Sequence, residues 1–180
     1  MAVAEEFSIV RRAPGAALAY LNLIALFLPG AAAIAGFAAY FGDPRLAWLD
    51  PRTGPVHFAV IASAGALATL AGVADWMLHR RGERFVGPRE RRVELAALAG
   101  GGAPLFAVMA AATLSSTPHA WLVPAVVLAL ATTTAIACDE FTFHRKCSAL
   151  ETAFHRALTL GMGVAWLAWM HGVFVERAHG

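Results

Sequence analysis

The chain alternates long apolar stretches with short polar connections. Five stretches consist almost entirely of apolar and small residues, and they run at about 16–41, 57–78, 93–114, 120–143 and 148–175. An α-helix of about 20 such residues is long enough to cross the hydrocarbon core of a bilayer. The pattern therefore predicts an all-α, polytopic membrane protein with five transmembrane helices.

Composition supports this interpretation and limits the domain organisation. Hydrophobic residues make up 59% of the chain and charged residues only 14%, which is far from the balance of a soluble globular domain. The predicted spans occupy most of the 180 residues. We therefore expect one helical membrane domain over 1–180, with no separate extramembrane domain.

Small residues are frequent in the predicted spans, and span three contains Gly100, Gly101 and Gly102 in a row. Glycine destabilises a helix unless a neighbouring backbone approaches closely. We therefore expect all three glycines to lie against another helix. In span one, Pro29 followed by Gly30 predicts a kink.

Basic residues lie in alternate connections. Arg11 and Arg12 precede the first span, the second connection (79–92) holds six arginines, and Arg145 and Lys146 lie in the fourth. The first connection balances its charges, and the third has neither lysine nor arginine. Because basic residues favour cytoplasmic loops, the pattern predicts an N-in/C-out orientation in a bacterial cytoplasmic (inner) membrane.

Three acidic residues are each followed four positions later by a histidine. The pairs are Asp75 and His79, Glu140 and His144, and Glu151 and His155. Residues i and i+4 share one face of a helix, so each pair presents a carboxylate and an imidazole in the same direction. In the predicted topology all three pairs lie at the cytoplasmic edge, on spans two, four and five.

Carboxylates and imidazoles on facing helices are the usual means by which a helical bundle holds a metal pair. We therefore predict that all six paired residues are metal ligands at one site. Glu90 or Glu94, at the start of span three, lies at the same edge, and Glu94, one turn into the span, would add a bridging carboxylate or a general base. The spacing differs from the Glu-x-x-His of carboxylate-bridged bundles.

This donor set favours iron or zinc, with copper as a further alternative. Cys138 and Cys147 are candidate soft ligands, although a small apolar packing role suits Cys138. We predict a metal-dependent membrane oxidoreductase, favoured over a hydrolase, that acts on a lipid-soluble substrate.

A second layer of histidines, His57, His119 and His171, lies near the predicted external edge and is assigned to cofactor binding. Three imidazoles suit copper or zinc. Histidines at two depths also resemble the haem b ligands of several five-span quinol-oxidising cytochrome subunits, whose spans two and five carry the haems. Two haems held between spans two and five would need histidines at matching depths on both spans. Helix rise, however, separates His57 from His79 by about 33 Å but His155 from His171 by only about 24 Å. A haem b/quinone electron-transfer subunit remains an alternative.

A further alternative needs no metal. The acids and imidazoles could pair with the nearby arginines as an interfacial polar network. The protein would then be a non-catalytic accessory subunit of a larger membrane complex, or a homo-oligomer. Membrane lipids and a lipid-soluble substrate or quinone are the expected partners, and nothing beyond the arginine-rich connection favours nucleic acid.

Overall fold

The computed structural model describes residues 16–53, 56–80, 87–144 and 147–177. Within these residues 92% are helical and no strand is present. Arg11, Arg12, Arg145 and Lys146 lie outside the described residues, as do positions 81–86 of the arginine-rich connection.

Six α-helices form the described part of the bundle: α1 (Ala16–Ala39), α2 (Val56–Arg80), α3 (Pro88–Leu95), α4 (Ala103–Leu114), α5 (Leu122–Phe143) and α6 (Ala149–His171). Short 3₁₀ turns occupy Pro44–Leu49, Pro51–Thr53 and Pro118–Trp121. Together these elements give five apolar helices long enough to cross a membrane, as the sequence predicts: Ala17–Ala39, Val56–His79, Pro88–Leu114, Pro118–Phe143 and Ala149–Glu176. The first of them runs through Pro29 as one continuous helix.

Span three begins at Pro88, five residues before the predicted start, and contains a π-helical segment, Ala96–Gly102, between α3 and α4. Pro104 has no N–H to donate to the carbonyl of Gly100, so a regular α-helix would lose a hydrogen bond here. The wider turn adapts the backbone, and the Ala103 N–H donates to the Leu98 carbonyl five residues back.

The glycines of this segment behave differently from one another. A Cβ on Gly101 would lie 2.6 Å from Thr132 Oγ1 and 3.2 Å from Thr132 Cα, so Gly101 packs tightly against α5. A Cβ on Gly100 would meet open space, and one on Gly102 would approach only the Ala97 carbonyl of the same segment. The prediction is therefore right for Gly101 and wrong for the other two, because successive side-chain directions diverge around a helix and one neighbour covers only one of them.

The helices α2 and α6 are antiparallel and form the most extensive helix pair. Gly161 allows the close approach, since a Cβ there would lie 2.8 Å from the Ala64 carbonyl oxygen and 3.0 Å from Ala68 Cβ. Many large apolar side chains are instead exposed on the outside of the bundle, including Ile34 (73% exposed) and Phe141 (70% exposed). An apolar exterior over close small-residue contacts is the arrangement expected of helices packed in lipid.

Two arginines satisfy carbonyls at the C-terminal end of α4. Arg45 donates to the Leu114 carbonyl at 2.6 Å, and Arg177 donates to the Thr113 and Ser115 carbonyls at 2.6 and 2.7 Å. These carbonyls have no partner within their own helix, and a cation also complements the helix dipole. The contacts join the first connection and the end of span five to α4.

Candidate metal centre

Four helices bring acidic and imidazole side chains together at one end of the bundle. The carboxylate–histidine cluster comprises Asp75 and His79 of α2, Glu90 and Glu94 of α3, Asp139, Glu140 and His144 at the end of α5, and Glu151 and His155 of α6. All six side chains of the predicted acid–histidine pairs belong to it.

Local helix signals place several of these residues. Ser148 caps α6 by accepting a hydrogen bond from the Glu151 N–H (3.1 Å), which sets Glu151 in the first turn. Pro88 is the first residue of α3, and Glu90 follows it within the first turn of that helix. His144 follows the last residue of α5, and its N–H donates to the Glu140 carbonyl at 3.1 Å. The cluster is thus built at helix ends, where several chains meet.

The shortest acid–histidine contacts join different helices. His155 Nε2 lies 3.1 Å from Asp75 Oδ1, and His155 Nδ1 lies 2.9 Å from Glu140 Oε2. His79 Nε2 lies 3.0 Å from Glu151 Oε1. By contrast, the nitrogen–oxygen distances within the i, i+4 pairs are longer, at 3.8 Å for Asp75 with His79 and 3.7 Å for Glu140 with His144. The spacing puts both groups on one face, and each acid then turns to a histidine of a neighbouring helix.

His144 lies at the centre of the cluster, with a side chain only 2% exposed. Its Nε2 is 3.6 Å from Glu90 Oε1, and its Nδ1 is 3.6 Å from Asp139 Oδ2. Its ring meets the His155 ring edge-on, with centroids 4.2 Å apart. His144 therefore connects the α3 and α5 acids to the α2 and α6 side of the cluster.

Six carboxylates and three imidazoles meet in the described part of this cluster. The side chains of Glu90 and Glu151 are each only 6% exposed, whereas that of Glu140 is 43% exposed. A buried carboxylate needs hydrogen-bond or charge partners, and the imidazoles supply some of them here. Carboxylate oxygens and imidazole nitrogens are also the donors that divalent transition metals take in proteins.

The donor atoms fall into two separate sets of three. Asp75, Glu151 and His155 form one set, and a second consists of Glu90, Glu94 and His144, with the donors of each set within 4.8 Å of one another. Glu140 groups with both His144 and His155 and so connects the sets. Cys147 groups with His144 and Glu151, whereas Cys138 is exposed and belongs to no such group among the described residues.

Sequence reasoning missed two members of this region. Asn22 of α1 is 8% exposed, and its amide N–H₂ donates to Glu94 Oε2 and to the Arg91 carbonyl. Its Oδ1 has no hydrogen-bond partner among the described residues. Asn22 is the only amide side chain in the described span Ala17–Ala39, which holds no Asp, Glu, His, Lys or Arg, and that isolation is the signal that identifies it. Asp139 was missed because it lacks the i, i+4 histidine.

The histidines of the other end are only partly brought together. His57 Nε2 lies 2.8 Å from His171 Nδ1, while His119 packs edge-on against the ring of Phe174. His119 joins no metal-competent group of the described residues. A haem iron held by His57 and His171 would have to lie between nitrogens that are in direct contact, so this pairing gives the haem alternative no support.

The chain matches no protein-family model, no curated protein and no solved structure. Its function is therefore inferred from its own residues.

Proposed function

We propose that this chain is a small integral-membrane metalloprotein that holds a pair of transition-metal ions in the carboxylate–histidine cluster. The observation that supports this proposal is the convergence of three imidazoles and six carboxylates from four helices in a largely buried cluster. Iron or zinc fits the oxygen and imidazole donors best, and copper is the further alternative.

The two donor sets suggest how the ligands would be divided. Asp75, Glu151 and His155 would hold one ion, and Glu90, Glu94 and His144 the other. Glu140 is positioned to bridge them, a role that the sequence pattern suggested for Glu94. Glu94 then serves as a ligand or as a general base.

His79 has a supporting role in this scheme. Its Nε2 contact with Glu151 Oε1 orients that carboxylate, and its other nitrogen is 3.8 Å from Asp75 Oδ2. Such outer contacts fix the direction of a ligand and tune its basicity. His79 joins the first ion directly if Glu151 shifts.

With iron bound, the activity we propose is oxidation or reduction of a lipid-soluble substrate, such as a quinol; Zn²⁺ has no redox chemistry and would not support it. Glu140 has a more exposed side chain than Asp75, Glu90, Asp139 or Glu151, and the next residue, Phe141, is 70% exposed on the apolar surface. A substrate dissolved in the bilayer would therefore reach the cluster beside Glu140. Quinol oxidation releases two protons and two electrons, and a carboxylate at this position can accept a proton.

The experiment is quinol oxidation by purified, iron-loaded protein with dioxygen as the oxidant. Wild type should oxidise a short-chain quinol, and His155→Ala should reduce the rate by two orders of magnitude or more. His119→Ala is the matched control and should retain the wild-type rate. A metal-loaded wild type with no activity above the metal-free protein would contradict the oxidoreductase assignment.

The second candidate is a non-catalytic accessory subunit. It is favoured by the short histidine–carboxylate contacts, which already connect α2, α5 and α6 without an added ion. On this view the cluster joins helices only, and the small-residue faces bind partner subunits or another copy of the chain. Purified protein without stoichiometric metal would favour this candidate.

The orientation we propose is N-in/C-out in a bacterial cytoplasmic membrane, which puts the cluster on the cytoplasmic side. It rests on the arginines of alternate connections. A cysteine introduced near the C-terminus should react with an impermeant reagent in intact cells. Reaction only after permeabilisation would overturn this orientation.

A further inference from the structure

The opposite end of the bundle carries a second group of metal-competent residues, outside the carboxylate–histidine cluster. His57 opens α2 and His171 closes α6, and the antiparallel packing of these helices brings Nε2 of the first to 2.8 Å from Nδ1 of the second. The two ring planes differ by only 14°. Two nitrogen lone pairs cannot face each other at this distance, so a hydrogen or a cation must lie between them.

A π-helical turn adds a carboxylate to the same place. Glu176 follows His171 by five residues, which in an α-helix would put it about 140° away around the axis. The segment Gly172–Glu176 is π-helical, however, and a π-turn returns residue i+5 to the face of residue i. Glu176 Oε1 consequently lies 3.8 Å from His171 Nδ1. Single π-turns of this kind are frequent at functional sites.

Packing fixes the position of this turn. Trp48 lies directly over Gly172, where a Cβ would overlap its ring. The same ring meets His57 edge-on at 6.2 Å between centroids. Val173 and Phe174, inside the turn, are buried in the apolar core of this end. The two histidines and Glu176 are therefore held by a packed framework, although the side chains of His171 and Glu176 are exposed.

We propose that His57 Nε2, His171 Nδ1 and Glu176 form a second metal site, which takes a single divalent cation of borderline softness such as Zn²⁺. Two nitrogens on one tetrahedral Zn²⁺ lie about 3.3 Å apart, given Zn–N distances of about 2.0–2.1 Å. The observed separations of 2.8 and 3.8 Å differ from this by about half an ångström, and all three donors lie within 4.8 Å of one another.

The proposed site is more accessible than the carboxylate–histidine cluster. The side chains of His171 and Glu176 are 52% and 55% exposed, so a cation reaches them directly from the aqueous phase. Three protein ligands leave a fourth position for water. The site thus binds and releases cations from solution on its own side of the membrane, independently of the cluster at the other end.

The test is calorimetric titration of chelator-treated, detergent-purified protein with Zn²⁺. His171→Ala should bind one Zn²⁺ per chain fewer than wild type. This difference does not depend on how many ions the carboxylate–histidine cluster binds. His119→Ala is the matched control, because His119 lies at the same end but outside the group, and it should keep the wild-type stoichiometry. Equal Zn²⁺ stoichiometry in His171→Ala and wild type, or an equal loss in His119→Ala, would overturn the proposal.

A second variant guards against misfolding. Glu176→Gln keeps the size of an exposed side chain and leaves both histidines in place. It should weaken this Zn²⁺ site by about tenfold or more while retaining the wild-type helical circular dichroism. Unchanged affinity would show that Glu176 is not a ligand and would refute the three-ligand site. These variants change no residue of the carboxylate–histidine cluster, and the titration does not measure activity. Failure of this test is therefore distinct from failure of the oxidoreductase proposal.

Discussion

At the scale of single residues, His155 makes short contacts with two other helices of the carboxylate–histidine cluster. Its two nitrogens contact Asp75 of α2 and Glu140 of α5, while its own backbone belongs to α6. One imidazole therefore joins three helices. Removing it deprives both carboxylates of their shortest histidine contact and leaves them only the longer contacts with His79 and His144.

Removing that ring should destabilise the fold as well as the site. A buried polar group that loses its partner costs about 1–3 kcal/mol, so we expect His155→Ala to lower the free energy of unfolding of the metal-free protein by roughly 2 kcal/mol. Thermal melting in detergent measures the effect, with His119→Ala as control. Equal melting temperatures for His155→Ala and wild type would show that the contacts contribute nothing.

Asn22 provides a second prediction at this scale. Its amide holds one oxygen of Glu94, so Asn22→Leu should leave the fold intact and lower metal affinity about 10–100-fold through misorientation of that carboxylate. Competition against a chelator of known affinity measures the change. If Asn22→Leu kept the wild-type metal affinity, Asn22 would serve only in helix packing.

The pairing of acids with histidines in the carboxylate–histidine cluster could be predicted only in part from the sequence. The i, i+4 spacing correctly put Asp75 and His79 on one face, and the same held for the other two pairs. It did not show that Asp75 contacts His155 rather than His79, because that choice depends on the rotation of α2 against α6. Helix rotation is set by packing contacts such as Gly161 on Ala64, which a single sequence does not reveal.

At the scale of elements, the two π-helical segments are the main departure from the sequence-based expectation. Apolar length alone predicted five spans with ends within about five residues of those observed. The π-turns at Ala96–Gly102 and Gly172–Glu176 leave no comparable trace in the pattern of apolar residues. Pro104 is the one local signal, and it marks only the first.

The glycines of the first π-segment allow a matched test. Gly101→Ala should destabilise the bundle by about 1–3 kcal/mol, because its Cβ would collide with Thr132 of α5. Gly100→Ala meets open space and should stabilise by up to about 1 kcal/mol through reduced backbone freedom. Thermal melting of both variants in detergent distinguishes them. Similar shifts of the same sign would contradict the packing described for Gly101.

The first connection offers a test of pH dependence. Arg45 donates to both oxygens of Asp43, at 2.9 and 2.7 Å, and these bonds hold the pKa of Asp43 at about 2. Because the folded state lowers this pKa, the stabilisation is present above about pH 4 and is lost as pH falls towards 2. The melting temperature of wild type should therefore fall more steeply over this range than that of Asp43→Asn. Parallel curves would show that the pair does not contribute.

At the scale of the whole molecule, the carboxylate–histidine cluster joins two groups of helices. The pair α2 and α6 contributes Asp75, His79, Glu151 and His155, and the helices α3 and α5 contribute the remaining acids and His144. Apolar packing is concentrated at the opposite end, around Trp169 and Val173. The bundle is thus held by polar contacts at one end and by a small aromatic core at the other.

The most direct test of a metal centre in this cluster is elemental analysis of detergent-purified protein after dialysis against a weak chelator. His57→Ala, which removes a ligand of the proposed second site, should retain about two iron or zinc ions per chain, and wild type should retain at least two. The double variant His144→Ala/His155→Ala should lose them while still inserting into the membrane. A wild type without stoichiometric metal, or a double variant with the wild-type metal content, would contradict the account.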